Sequence, residues 1–510
     1  MMSRWGVIEP DFSHFMDKAK THRVIPVVKK IFVDDPTPVG IYRRLAKGTG
    51  TFILESADTV DHMSRWSFIG VRSVAQLISE AGALKWEGTF VEGVETQGKP
   101  IDVLTELVSA LNSSSDSHYP PFTGGFVGAL GWDTLYDWEP NLRHETNKDV
   151  DIPDAVMCLA TDIVAIDRRE GTVWLISNAI NMNNTSLGAE KAYASALERI
   201  ESMESSLHIP LSLGAMTSVD DRELNIRHVT PQNVFEQSVV SAKEAITDGE
   251  VFQVVLSQRM DVPCDAHPLD VYRVLRSVNP SPYMYYLNLS DGKGGKFSIV
   301  GSSPETLVKV SDGKVTTFPI AGSRPRGNND DEDQELIDDL LSDEKELSEH
   351  VMLVDLARND LSKVCEPGSV NVRTFMEVKK FSHIMHISST VEGKLEDKNT
   401  AVDCLKATFP AGTLSGAPKP RAIDLIDELE PVRRGIYGGV VGYFDFCGNA
   451  DLAIAIRTAM MKNNIAYIQA GAGIVADSVP TTEYIETRNK AEAVMQSIRI
   501  AQTLTRSDVK

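Results

Sequence analysis

Short runs of alternating apolar and polar residues recur in the first part of the chain, and each ends on a turn signal. Positions 74–78 and 83–86 flank Ala81-Gly82, and positions 161–166 and 172–176 flank Arg169-Glu170-Gly171. Because side chains alternate across a strand, each pair predicts an antiparallel hairpin. The second half repeats the theme. Positions 307–310 and 315–320 flank Asp312-Gly313, and 452–461 and 465–470 flank Asn463-Asn464. These turn residues readily take the positive φ of a tight hairpin. Between the hairpins the period changes. Leu336, Leu340 and Leu341, then Leu347, Val351 and Val354, and later Ile423, Ile426 and Leu429 recur at helical spacing. Antiparallel strands with helices between them predict an α+β fold. Positions 112–117 are a Ser-rich loop, and the polar, weakly patterned stretch 201–225 is the expected linker between a region 1–200 and a region 226–510.

Composition narrows the class. The 510 residues carry a formal net charge of −21, and an acidic surface repels nucleic acid and anionic membrane alike. No basic start followed by an apolar run opens the chain, and no stretch reaches the roughly 18 apolar residues of a membrane span, so the cytoplasm is the expected location. The five cysteines, Cys158, Cys264, Cys365, Cys404 and Cys447, are far apart and form no CxxC pair, so reduced, mostly buried thiols are expected.

The candidate chemistry lies in the second half. Glu346 and Glu349 stand three apart in DEKELSEHVMLVDLARND, and Glu483 and Glu486 repeat that spacing in PTTEYIETRNKA. Three apart on a helix means one face. A solvated face is the ordinary fate of any single such pair, but two pairs can also face each other around one hard cation. Gly-rich stretches accompany them: PIAGSRPRG, FPAGTLSGAPKPRA and QAGAGIVADS. Small residues let backbone N–H groups approach an anion, although most such stretches are only turns.

These segments, with GSSPE, SHIMHISSTVEG, GIYGGVVGY and AIAIRT, resemble the chorismate-binding enzymes over nearly the whole chain, and within them the anthranilate synthase large subunits. The resemblance implies a large sandwich of antiparallel sheets covered by helices, with the site in a cleft of the 226–510 region. It implies that Glu349 and Glu486 ligate Mg2+, with Glu346 and Glu483 beside them. Gly322, Ser323, Tyr437 and Gly471-Ala472-Gly473 would contact chorismate, and Arg457 would pair with a substrate carboxylate through its planar fork. Thr413 and His386 match further site positions, and His386 is the expected acid–base group.

Within the family, the enzymes that add water to the ring carry a lysine where this chain has Gln253, and aminodeoxychorismate synthases carry a nucleophilic lysine where it has Ala321. Both absences point to attack by ammonia, with anthranilate and pyruvate as products. Such large subunits take ammonia from a glutamine amidotransferase subunit, with a heterotetramer as one arrangement. The region 1–200 is then expected to be regulatory. Ser56, in TFILESAD, matches a tryptophan-binding motif, and Pro282-Tyr283-Met284, in NPSPYMYYL, supplies its companion. A tryptophan-binding chain that has lost catalysis is the alternative from another class.

Overall fold

The computed structural model describes residues 5–34, 36–57, 65–210, 216–218, 223–380 and 384–506. Ser382 and His383 of one quoted motif, Asp58 of another, and most of 211–222 lie outside these residues.

Among the described residues, twenty-two strands are joined edge to edge in one hydrogen-bonded network, and every registered pairing in it is antiparallel. Helices pack on this network, as the hairpin-and-helix pattern predicts. The strands Ala155–Asp167 and Thr172–Ile180 are buried at every position, so they are covered on both faces.

The hairpin turns fall where expected. Ala81 and Gly82 join Trp66–Glu80 to Ala83–Gly88 with φ of 51° and 74°, and Asp312 and Gly313 join Thr306–Ser311 to Lys314–Thr317 with 50° and 74°. Two elements differ from the pattern. The expected strand 452–461 is broken into Ala450–Ile454 and Thr458–Lys462, with Arg457 between them at φ 48°. The leucine pattern from 336 to 354 is divided into Asp330–Ser342 and Glu344–Ser362, because Asp343 leaves helical geometry and caps the second helix. The Asp343 carboxylate accepts from the backbone N–H of Lys345 at 3.1 Å and of Glu346 at 3.3 Å.

The two halves of the chain share the sheet. Thr51–Glu55 pairs with Tyr283–Ser290, setting Glu55 opposite Met284, and Gly125–Leu130 pairs with Val440–Asp445. The segment expected as a linker opens inside the helix Ser186–Leu207. Four cysteines are buried, Cys447 is half-buried, and all five are free thiols. Among the described residues, no helix is long and apolar enough to cross a membrane.

Candidate active site

Two helices present the glutamates. Glu344–Ser362 carries Glu346 and Glu349, and Pro480–Gln502 carries Glu483 and Glu486. Burial, followed by the charge of Glu349, raises the Glu346 carboxyl above its ordinary range. Burial also raises Glu483, and the neighbouring Glu486 adds to it, while Lys345 of the other helix opposes the shift. That cross-helix charge sets the start of the first helix beside the second. Each pair is thus a set of crowded carboxylates whose repulsion a cation would relieve. Glu349 accepts from Gln253 Nε2 at 3.4 Å, and Glu486 pairs with Lys490 at 2.7 Å.

Among the described residues, no three Asp, Glu, His or Cys side chains form a ready metal cage. Mg2+ does not require one, because it binds through one or two carboxylates and completes its shell with waters and substrate oxygens. The hard, crowded oxygen donors here fit that ion.

The remaining expected residues join these carboxylates through a closed circuit of neighbours. Gly322 forms a bulge in Ile320–Pro325 at φ 69°, and a Cβ there would stand 3.1 Å from Glu346 Oε2. Only glycine combines that backbone with that approach. Its carbonyl accepts from His386 Nδ1 at 3.0 Å, and Ser323 is His386's partner in the sheet. Burial lowers the His386 pKa, the Gly322 contact opposes the shift, and Arg457 lowers the pKa further. A carbonyl can only accept, so Nδ1 carries the proton and Nε2 is the basic nitrogen.

Arg457 and Lys490 in turn act on Glu305, whose carboxyl accepts from Thr413 Oγ1 at 2.8 Å. Lys490 also donates to the Gly471 carbonyl at 3.1 Å. A Cβ on Gly471 would stand 2.6 Å from the Tyr437 hydroxyl, and one on Gly473 would stand 2.5 Å from Gln253 Nε2, which leads back to Glu349. Ala472 lies between these glycines with its methyl fully buried, so only Gly471 and Gly473 face this side of the strand.

Glu305 and Lys490 received no role from the sequence, although both stand inside quoted motifs. Burial pushes the Glu305 carboxyl up to about 7, against the opposing pull of Thr413, Lys490 and Arg457. A carboxylic acid half-protonated near neutrality can give or take a proton there. The spacing of Glu486 and Lys490, four apart on a helix, was the available signal for the lysine.

A concavity of ≈ 420 Å³ lies at the seam between the halves. Ser56, Pro282, Tyr283 and Met284 all line it, with Trp66, Phe68, Tyr443 and Asp451. The Ser56 hydroxyl is buried there, with no hydrogen-bond partner among the described residues. Tyr283 donates to Asp451 at 2.8 Å, and the adjoining Glu55 accepts from Tyr272 at 2.5 Å and pairs with Arg168.

The family described as chorismate binding enzyme matches residues 50–496. Anthranilate synthase component 1 of Arthrobacter globiformis is 50% identical, over 99% of this chain and 95% of its own length. The protein of the same name from Mycobacterium tuberculosis is 48% identical, with 95% of each chain covered. The crystal structure of anthranilate synthase component I from Streptococcus pneumoniae superposes with a TM-score of 0.73 at 37% identity, covering 84% of this chain and 92% of that one. The menaquinone-specific isochorismate synthase of Escherichia coli gives 0.69 at 18% identity, with 93% and 94% covered, a likeness of fold alone. With the family match spanning most of the sequence and the relatives nearly all of it, this chain belongs to the chorismate-binding enzymes, in the group of anthranilate synthase component 1.

Proposed function

We propose that this chain converts chorismate and ammonia to anthranilate and pyruvate. The observation that carries the reading is the circuit of neighbours joining the glutamates, Gly322, His386, Arg457, Glu305, Thr413, Lys490, Gly471 and Tyr437. It combines cations for an anionic substrate, a protonatable carboxyl and a neutral imidazole in one place.

Arg457, Tyr437 and the backbone around Gly471 and Gly473 hold the substrate's carboxylates and fix the ring. Ammonia forms a C–N bond at C2 as the C4 hydroxyl leaves and the ring double bond shifts. Glu305 supplies the proton that lets the hydroxyl depart as water, and the added nitrogen gives up one proton. His386 Nε2 then takes the C2 proton as the ring C–O bond to the enolpyruvyl group breaks, so that the ring becomes aromatic, and a proton returned to the methylene carbon of the departing enolpyruvate completes pyruvate. Mg2+ held by Glu349 and Glu486, with Glu346 and Glu483 adjacent, would supply positive charge to a substrate carboxylate. Water addition lacks its base, because the Gln253 amide cannot take a proton and is engaged with Glu349. Ala321 offers no nucleophile for a covalent route.

The seam cavity suits tryptophan as feedback inhibitor, its apolar walls taking the indole and Ser56 a polar end. An amidotransferase subunit would supply ammonia from glutamine. The test is anthranilate fluorescence from chorismate, ammonium and Mg2+, with the isolated chain inactive on glutamine until that subunit is added. Absence of anthranilate would overturn the reading. Efficient use of glutamine by the chain alone would overturn the two-subunit part.

A further inference from the structure

We infer that Arg434, clamped by Glu430, is a positioning residue that holds three substrate-facing segments of the site in register. The inference rests on the proposed reaction. The guanidinium is enclosed, with 1% of its side chain exposed. Its donors go to separate parts of the chain. Nη1 donates to the Leu414 carbonyl at 2.6 Å, immediately after Thr413. Nη2 donates to the Val255 carbonyl at 2.8 Å, and Val255 is the sheet partner of Gly473. Nε and Nη2 meet the two oxygens of Glu430 at 3.0 and 2.7 Å.

Glu430 extends the clamp. It accepts from the Ser257 backbone at 2.7 Å and from its hydroxyl at 2.8 Å, and Ser257 is the sheet partner of Gly471. Gln469 donates to the same hydroxyl at 2.8 Å. The guanidinium carbon stands 4.3 Å from the centre of the Trp132 ring and 5.6 Å from the centre of the Tyr437 ring. A cation over a phenol ring both fixes its tilt and draws charge from it, making the hydroxyl a stronger donor. One buried ion pair therefore braces the Thr413 loop, the Gly471–Gly473 strand and the Tyr437 ring together. Stability alone does not call for such a pair, since an apolar replacement of similar volume is often neutral or stabilising.

That contrast supplies the test. Arg434→Met leaves Glu430 buried and uncompensated and should lower Tm strongly. Combining it with Glu430→Met should restore most of the lost Tm while the KM for chorismate stays about tenfold or more above that of the unsubstituted enzyme. Arg434→Lys, which keeps charge and loses the fork, should raise the same KM by about tenfold, and by a smaller factor, about three- to fivefold, when Tyr437 is already Phe, the remainder belonging to the Thr413 loop and the Gly471–Gly473 strand. Recovery of KM together with Tm, equal effects of Arg434→Lys in both backgrounds, or failure of both the paired variant and Arg434→Lys to fold would each assign the pair to stability and overturn the inference. If the unsubstituted protein forms no anthranilate, it is the proposed reaction that falls.

Discussion

The expected cleft, represented by the cluster of charged residues between Glu305 and Lys490, and the seam cavity are built in opposite ways from the same sheet. The cleft draws its charged groups from residues 305–490 and spends its local structure on crowding: carboxylates beside carboxylates, a bulge at Gly322 and a positive φ at Arg457. The cavity draws its walls from both halves, is largely apolar, and offers the buried Ser56 hydroxyl, which has no partner among the described residues. Crowded charge suits transition-state stabilisation, whereas an apolar slot across a seam suits a ligand that biases the arrangement of the halves. Little separates them. Met284, in the cavity wall, is the sheet partner of Ser302, whose N–H donates to the Arg457 carbonyl at 3.2 Å. The helix Pro268–Val278, just before Pro282, packs on the helix that carries Glu483 and Glu486. A ligand in the slot therefore has short physical routes to the cleft, and under the proposed feedback, linkage would have chorismate and that ligand weaken each other's binding.

The contrast breaks first at the glutamates. Glu349→Gln and Glu486→Gln should each lower kcat by about 1,000-fold or more, because a neutral amide is a poor ligand for a hard cation. Turnover should rise with Mg2+ in the unsubstituted enzyme and vanish on chelation. Wild-type rates in either variant would remove the metal from the cleft.

Glu305→Gln comes next, with a loss of about 100-fold expected for removing a general acid. Its pH profile gives the sharper reading. With the carboxyl pushed up to about 7, the protonated, proton-giving form is present below that pH. Turnover should therefore fall as pH rises through about 7, and this limb should disappear in the Gln variant. A limb that persists there belongs to another group.

The smallest effect on catalysis belongs to the slot. Ser56→Phe fills the cavity and should leave the rate without tryptophan within about twofold, while raising the tryptophan needed for half-inhibition by about tenfold or more. An unshifted inhibition curve with activity preserved would move the slot elsewhere.

The hairpins were legible in the sequence because Ala81-Gly82 and Asp312-Gly313 carry their own backbone chemistry. The division at Asp343 and the break before Arg457 were not, since the apolar period runs on across both and only capping and tertiary contacts interrupt it. In the cleft, the glutamate pairs could be read from helical spacing, whereas Glu305 could not. Its altered acidity arises from burial, which Thr413, Lys490 and Arg457, neighbours far away along the chain, only partly offset. Arg434 likewise looks like an ordinary charged residue until the fold encloses it.

The pairing of Gly125–Leu130 with Val440–Asp445 also sets a timetable for the newborn chain. One edge of that apolar strand is covered early, by Ala155–Asp167, but the other waits for a partner roughly 310 residues further on, which at about 5–20 residues per second is about 15–60 s of synthesis. Through that interval a buried-to-be strand, GFVGAL, presents open N–H and C=O groups to whatever strand arrives first. Slowed elongation, or truncation before residue 440, should therefore cost yield through aggregation before any question of catalysis arises.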